Sequence, residues 1–283
     1  MVPSVRVERF GSYALEQTIN VGSVGEVFLA RWLDRDDAGD AQFVVKRLHR
    51  ELARRPAHVE LFVEEGKMAQ RFAHPNLVHA FDAGSIERDR GERGERGERG
   101  ERDHYIAMDL VRGPNLGQLA ARGPVPARAV RRVARDLCAA LGHMHAAGVV
   151  HCDLSPTNIL IGPERTQLTD FGVANPIGQP QPQVRGTIAY MSPEQARGEP
   201  IDGRSDVFSI GVVTWELLAR RPLFMRSAPY LTLAAVVEAP LPELDDGGDP
   251  SLAAVLRRAL DRDLERRWPS CEQMAAALDQ PRD

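Results

Sequence analysis

Lysine is nearly missing from this chain. Of 36 basic residues only Lys46 and Lys67 are lysines, so arginine is the default cation and each lysine calls for a reason. Cysteine is scarce as well. Cys138, Cys152 and Cys271 are odd in number, widely spaced and form no C-x-x-C pair. That excludes a disulfide framework and a four-ligand zinc site, and it fits a reducing compartment. Positive charge is not in excess. A formal net charge of −4 without a basic stripe argues against a duplex-DNA binder. Long apolar runs are absent too. The most apolar stretch, residues 207–219, is short and holds Glu216, whereas a membrane span takes about 20 apolar residues. The opening Met1-Val2-Pro3-Ser4-Val5-Arg6 lacks the apolar centre of a signal peptide. Together these absences predict a soluble, cytoplasmic protein with neither a nucleic-acid nor a membrane partner.

What is present is a globular composition, with 27% charged and 43% hydrophobic residues. A chain of 283 residues can bury a core without staples. Residues 13–19 and 26–32 flank a glycine-containing turn and read as a hairpin. Residues 42–48 read as a third strand, Phe43-Val44-Val45 being its apolar run. Residues 57–72 read as a helix with Val59, Phe62, Val63, Ala69 and Phe72 on one face. Residues 77–83 and 104–110 read as further strands. From Ala127 onward the pattern is helical. Val130, Val133, Leu137, Leu141 and Met144 recur at steps of three and four. More helices are expected over 207–219 and 252–260. Residues 90–102 repeat Arg-Gly-Glu, with alternating charge and nothing apolar, which predicts a solvated flexible loop. A small strand-rich lobe followed by a larger helical one is the expected order.

Several groups point to phosphate chemistry. In Asn20-Val21-Gly22-Ser23-Val24-Gly25, the two glycines let backbone approach phosphate oxygens and offer N–H donors. Lys46 ends an apolar strand in a chain that otherwise uses arginine. Its compact charge suits phosphate oxygens and one carboxylate. That carboxylate is Glu65 or the adjacent Glu64, both on the expected helix. Asp153 is placed to orient a hydroxyl, and Asn158 offers an amide oxygen to a hard metal ion. Asp170, after the strand-like Gln167-Leu168-Thr169, is a natural Mg²⁺ ligand. Gly186-Thr187, Ser192-Pro193-Glu194 and Asp206 follow in order.

The ordered set resembles the eukaryotic-type (Hanks-type) Ser/Thr protein kinase family in its bacterial branch, over about residues 10–278. The resemblance implies an α+β, bilobal protein-kinase-like fold. An N-lobe over residues 10–111 and a C-lobe over residues 112–280 would form one kinase domain. It implies ATP and Mg²⁺ as cofactors and a protein Ser/Thr hydroxyl as acceptor. Lys46 matches the strand-three lysine. Glu65 matches its helix partner, through the register of His74-Pro75-Asn76-Leu77-Val78. Asp153 matches the catalytic aspartate, and Asn158 and Asp170 the metal ligands. Ile19, Gly22, Ser23, Gly25, Val27, Val44, Lys46, Met108, Asp109, Val111 and Leu160 fall at nucleotide-binding positions. Glu194 and Arg267 match a structural ion pair. Lys67 matches no motif and is expected to be solvated.

The chain departs from the family at several points. Asn20 replaces the first glycine of the phosphate loop, a residue tolerant of left-handed backbone. Val44, Ala69 and Ala80 stand where other sizes are usual. Ser155 replaces the lysine two residues after the catalytic aspartate. Pro156 keeps the Ser/Thr rather than the tyrosine-kinase pattern. Cys152 replaces the arginine that reads a phosphorylated activation loop, and Asp153 beside it should raise its thiol pKa. Only Thr187 and Tyr190 carry hydroxyls between residues 173 and 191. Activation-loop phosphorylation is therefore expected not to switch this chain. A pseudokinase, serving as a nucleotide-sensing or scaffolding module, is the alternative these departures feed.

Overall fold

Strand-forming residues dominate the first part of the chain and pair into one antiparallel sheet. Its strands are β1 (Glu8–Phe10), β2 (Tyr13–Val21), β3 (Gly25–Trp32), β4 (Phe43–Leu48), β5 (Ala80–Glu87) and β6 (Arg102–Asp109). They lie in the order β1-β2-β3-β4-β6-β5. A single turn, α1 (Arg50–Ala53), and a longer helix, α2 (Pro56–Arg71), connect β4 to β5. The computed structural model describes residues 7–33, 42–87, 101–180, 186–243 and 249–280. It divides into two units, Met1–Ala73 with Val78–Leu110 and His74–Leu77 with Val111–Asp283.

In the first unit one sheet face is aromatic. Phe10, Tyr13, Leu15, Phe28, Phe43 and Val45 are buried there, with Trp32 and Tyr105 packed against them. The hydroxyls of Tyr13 and Tyr105 both donate to Asp82 Oδ2, which satisfies the polar ends of the buried rings. The helix α2 packs on β5 and β6 through Gly66. A Cβ there would lie 3.0 Å from Ala83 Cβ and 3.3 Å from Ile106 Cγ1. The buried stripe of α2 is Phe62, Glu65, Gly66 and Ala69. Val63, expected on the same face, is instead exposed. It lies about 100° around the helix from Phe62, whereas Glu65, three residues on from Phe62, falls on the buried stripe. The strand expected from residue 77 begins only at Ala80. Leu77 forms an isolated parallel bridge with Leu168 and belongs to the second unit. Residues 88–100, most of the Arg-Gly-Glu repeat, lie outside the described residues. The repeat's last residue, Arg102, already opens β6.

The second unit is mainly helical: α3 (Leu116–Ala121), α4 (Ala127–Ala146), α5 (Pro193–Arg197), α6 (Gly203–Ala219), α7 (Pro229–Glu238), α8 (Pro250–Ala259) and α9 (Cys271–Leu278). Four short strands pair two by two. These are β7 (Val149–Val150) with β10 (Asn175–Pro176), and β8 (Ile159–Ile161) with β9 (Thr166–Leu168). The apolar stripe of α4 is buried as its spacing predicts. α6 is buried almost all round, which marks it as the centre of this unit. It starts before its apolar run because the Asp202 side chain caps it, accepting from Arg204 N–H at 2.8 Å. Among the described residues no helix is long and apolar enough to cross a membrane.

Candidate active site

In the first unit β4 and α2 bring the sequence-predicted Lys46 and Glu65 together. Lys46 sits on β4 opposite Val27 on β3 and Ile106 on β6. Its Nζ lies 2.5 Å from Glu65 Oε1, and the two side chains are 13% and 7% exposed. A pair this buried must be matched, because either charge left alone carries a heavy desolvation penalty. Glu64 faces outward and pairs with Lys67 at 2.6 Å. The structure thus separates the two glutamates. One sits against the strand lysine and one on the wet face.

The turn itself is held by backbone. Gly22 N–H donates to Gly25 carbonyl at 2.9 Å, and His49 N–H donates to Val24 carbonyl at 3.0 Å. The His49 ring, not anticipated from the sequence, lies 2.7 Å from Gly22 carbonyl. The two glycines have different causes. A Cβ on Gly25 would stand 2.2 Å from Arg47 carbonyl, so the approach of β3 to β4 demands glycine there. A Cβ on Gly22 would meet nothing nearer than 3.7 Å, so the protein's own packing does not require it. Asn20 is paired with Val27 in the ladder and its φ is not positive, so its left-handed tolerance is not used. Val44 and Met108 face each other across β4 and β6, with Ala80 opposite Met108 on β5. Asp109 ends β6, while Ile19 and Ser23 are exposed.

In the second unit a buried carboxylate shapes the 151–158 loop. Gly148 ends α4 with φ +79, and the chain then passes through β7. Asp206 on α6 accepts from His151 N–H at 2.9 Å and Cys152 N–H at 3.0 Å. It also meets His145 Nε2 at 2.7 Å. Burial alone would raise the Asp206 pKa, yet His145 and the backbone donors hold it below the ordinary carboxylate range. Burial works against the His145 cation. Its bonds to Asp206 and Cys271 nonetheless push its pKa up to about 10. This support was legible only as a lone acid opening an apolar helix.

The loop presents Asp153, whose Oδ1 accepts from Thr187 N–H at 2.8 Å. Gly186 has φ +95, and a Cβ on it would lie 2.8 Å from Asp153 Oδ1, so conformation and space both require glycine. Asn158 Nδ2 donates to Asp153 carbonyl at 3.0 Å and Oδ2 at 3.3 Å. Thr169 N–H donates to Asn158 carbonyl at 3.0 Å, which brings the adjoining Asp170 to the same loop. Asp170 has φ +73, a strained value for a non-glycine residue and one that clusters at functional sites. Burial raises the Asp153 pKa and the Asp170 charge adds to it, with Thr187 N–H and His151 pulling the other way. Among the described residues no three His, Cys, Asp or Glu side chains form a metal cluster. Mg²⁺ needs only one or two protein carboxylates beside water and phosphate oxygens. The amide of Asn158 commits its Nδ2 to Asp153, so its oxygen and the Asp170 carboxylate are hard donors of the right kind. Val111 lies beside Gly162, and Leu160 bridges to Asn115.

A model of the protein kinase domain matches residues 13–277. The chain belongs to the protein kinase family. It is similar to the serine/threonine-protein kinase PknB of Mycobacterium leprae, 34% identical over 278 residues, which covers 94% of this chain and 42% of that protein. The PknB of Mycobacterium tuberculosis is 35% identical over 280 residues, with 94% and 42% covered. A probable PknB of Corynebacterium glutamicum is 32% identical over 282 residues, with 94% and 41% covered. The chain therefore spans about two fifths of the length of the curated relatives it matches. The α+β kinase fold and the bacterial Ser/Thr branch expected from the motifs both hold.

Within this kinase domain the departures take definite shapes. Cys152 is buried with φ +69 and packs with Val150, Ile201 and Val173. Burial, first, and the Asp206 charge push its thiol pKa far up, in keeping with an inert cysteine. Ser155 is buried and its hydroxyl lies 2.8 Å from Thr157 Oγ1. The Glu194 and Arg267 side chains form a buried bidentate pair at 2.7 and 3.2 Å.

Proposed function

We propose that this chain is an ATP-dependent serine/threonine protein kinase that is not switched by phosphorylation of its activation loop. The observation that carries the reading is the convergence of Asp153, Asn158 and Asp170, with Asp153 fixed by Thr187 and Asn158. In this reading residues 10–111 and 112–280 act as one catalytic domain. Asn158 and Asp170 would hold Mg²⁺, which would supply charge neutralisation at the phosphates of ATP. Lys46, oriented by Glu65, presents its ammonium to the α- and β-phosphate oxygens. Gly22 leaves room for backbone to approach them. The facing Val44 and Met108, with Ile19, Val27, Val111 and Leu160, offer apolar surface to adenine. Asp153 holds the acceptor hydroxyl and takes its proton as the oxygen bonds the γ-phosphorus and the bond to ADP breaks. Its raised pKa moves it toward the range of a useful base. Most of the catalysis is positioning and electrostatics.

Three observations support independence from loop phosphorylation. An apolar cluster occupies the place of the family arginine at Cys152. Thr187 is engaged with Asp153, and the Tyr190 hydroxyl donates to Glu216 at 2.8 Å. The segment after Asp170 is tied by backbone pairing of Asn175 with Val150.

The test is label transfer from ATP with Mg²⁺ to a generic basic protein, beside Lys46→Met and Asp153→Asn. Each variant is expected to lose about a hundredfold or more. Equal transfer by the variants sinks the residue roles. Nucleotide binding without transfer favours the pseudokinase. Mass spectrometry should find no activation-loop phosphate on which activity depends, and phosphatase treatment should leave the rate unchanged.

A further inference from the structure

Gln195 is a buried amide in the short helix α5, and a buried amide has two polar ends to satisfy. Its Oε1 accepts from Ser192 N–H at 3.0 Å, which closes the capping box of the helix. Its Nε2 donates to the Cys152 carbonyl at 3.1 Å, 43 residues away in the chain. These two bonds fix which way round the amide sits. Turned over, it would set its NH₂ against the Ser192 N–H and its oxygen against the Cys152 carbonyl. The capping box asks only for the acceptor end, which a glutamate supplies equally well. The bond to residue 152 asks for the donor end, and so for an amide.

That bond lands on the residue before Asp153. Cys152 holds a φ of +69, which a non-glycine residue keeps only where its surroundings fix it. Its carbonyl and the Asp153 N–H belong to one peptide plane, so a hand on the first orients the second. That N–H donates to His151 Nδ1 at 3.3 Å. The segment carrying Gln195 also reaches Asp153 directly, through Thr187 N–H on Oδ1 at 2.8 Å. Residues 187–195 thus grip the loop at two consecutive residues. They are themselves anchored on α6. Ser209 Oγ donates to the Tyr190 carbonyl at 2.7 Å, and Ser205 Oγ to Glu194 Oε1 at 2.7 Å. Asp206, on the same helix, takes the Cys152 N–H at 3.0 Å. One rigid helix therefore supports both sides of the grip.

We propose that Gln195 is a positioning residue for Asp153. Through the Cys152 carbonyl it sets the peptide plane from which the Asp153 carboxylate projects toward the acceptor hydroxyl. The proposal rests on the kinase reading of Asp153, but the hold of α5 on the loop is measurable without phosphoryl transfer. It requires a defect in turnover without one in nucleotide affinity.

Two variants of the full chain test it. Gln195→Met keeps the length of the side chain and cannot donate. Its kcat should fall about tenfold while KM for ATP changes by less than about twofold. Gln195→Glu is the conservative variant. Protonated, its carboxyl donates to the Cys152 carbonyl as the amide does; ionised, it repels that carbonyl. Burial near the Asp153 and Asp206 charges favours the protonated form. The ratio of its kcat to that of the wild type should therefore be about tenfold higher at pH 6 than at pH 9. Circular dichroism should show both variants folded under assay conditions. Hydrogen exchange should quicken in the 151–155 backbone of the Met variant and stay as in the wild type in α4 and α6. Full kcat in the Met variant, a Glu-variant ratio that ignores pH, or exchange that quickens equally throughout the unit overturns the positioning role. A wild type that transfers no phosphate removes the kinase reading instead, and the exchange result then decides whether Gln195 holds the loop.

Discussion

Cys152 shows how one residue can be fitted to a position that suits few side chains. Its φ of +69 lies in the left-handed region, which costs a non-glycine residue about 1 kcal/mol. The conformation persists because both of its backbone groups are held. Its N–H donates to Asp206 at 3.0 Å, and its carbonyl accepts from Gln195 Nε2 at 3.1 Å. The side chain is small and points among Val150, Val173 and Ile201. Restoring the family arginine would push a guanidinium into that apolar cluster. Cys152→Arg is expected to destabilise the fold by about 3 kcal/mol or more, read as a lower urea midpoint. An unchanged midpoint would mean that the side chain escapes to water.

At the scale of elements, α4 and α6 are joined by the His145–Asp206 pair. The folded pKa of His145, about 10, stands above its ordinary value. The pair's contribution is therefore complete below about pH 6.5. It fades as pH rises toward 10. Against a His145→Gln variant, the wild type should show its largest stability advantage near pH 6 and a smaller one near pH 9. An advantage that grows with pH would contradict the assignment of charge. Elements were legible where one periodicity ran long, as in α4 and the first strands. They were not where a short apolar run served another purpose. Leu77 and Val78 read as strand but are buried outside one. α5 went unseen although Ser192 and Gln195 form a capping box that the sequence spells out. Of the site, the groups that would meet phosphate, metal and hydroxyl were legible from motif order. His145, His49 and the backbone role of Asp206 were not, because they act through loops that no fixed spacing links to them.

For the whole molecule, nucleotide binding should appear as stability. Mg²⁺·ATP at a hundred times its Kd should add about 2.7 kcal/mol to unfolding. Removing Mg²⁺ with a chelator should erase part of that gain. Asp170→Asn should abolish the Mg²⁺-dependent part and keep what nucleotide alone provides. A variant that still responds fully to Mg²⁺ would move the metal to other ligands. The charge layout of α2 has one more consequence. The chain carries two lysine amines, one exposed on Lys67 and one shielded against Glu65 on Lys46. An amine-specific dye should therefore mark one lysine at the surface. A nucleotide bearing an acylating group should mark the other, so occupancy becomes readable as a single modified peptide.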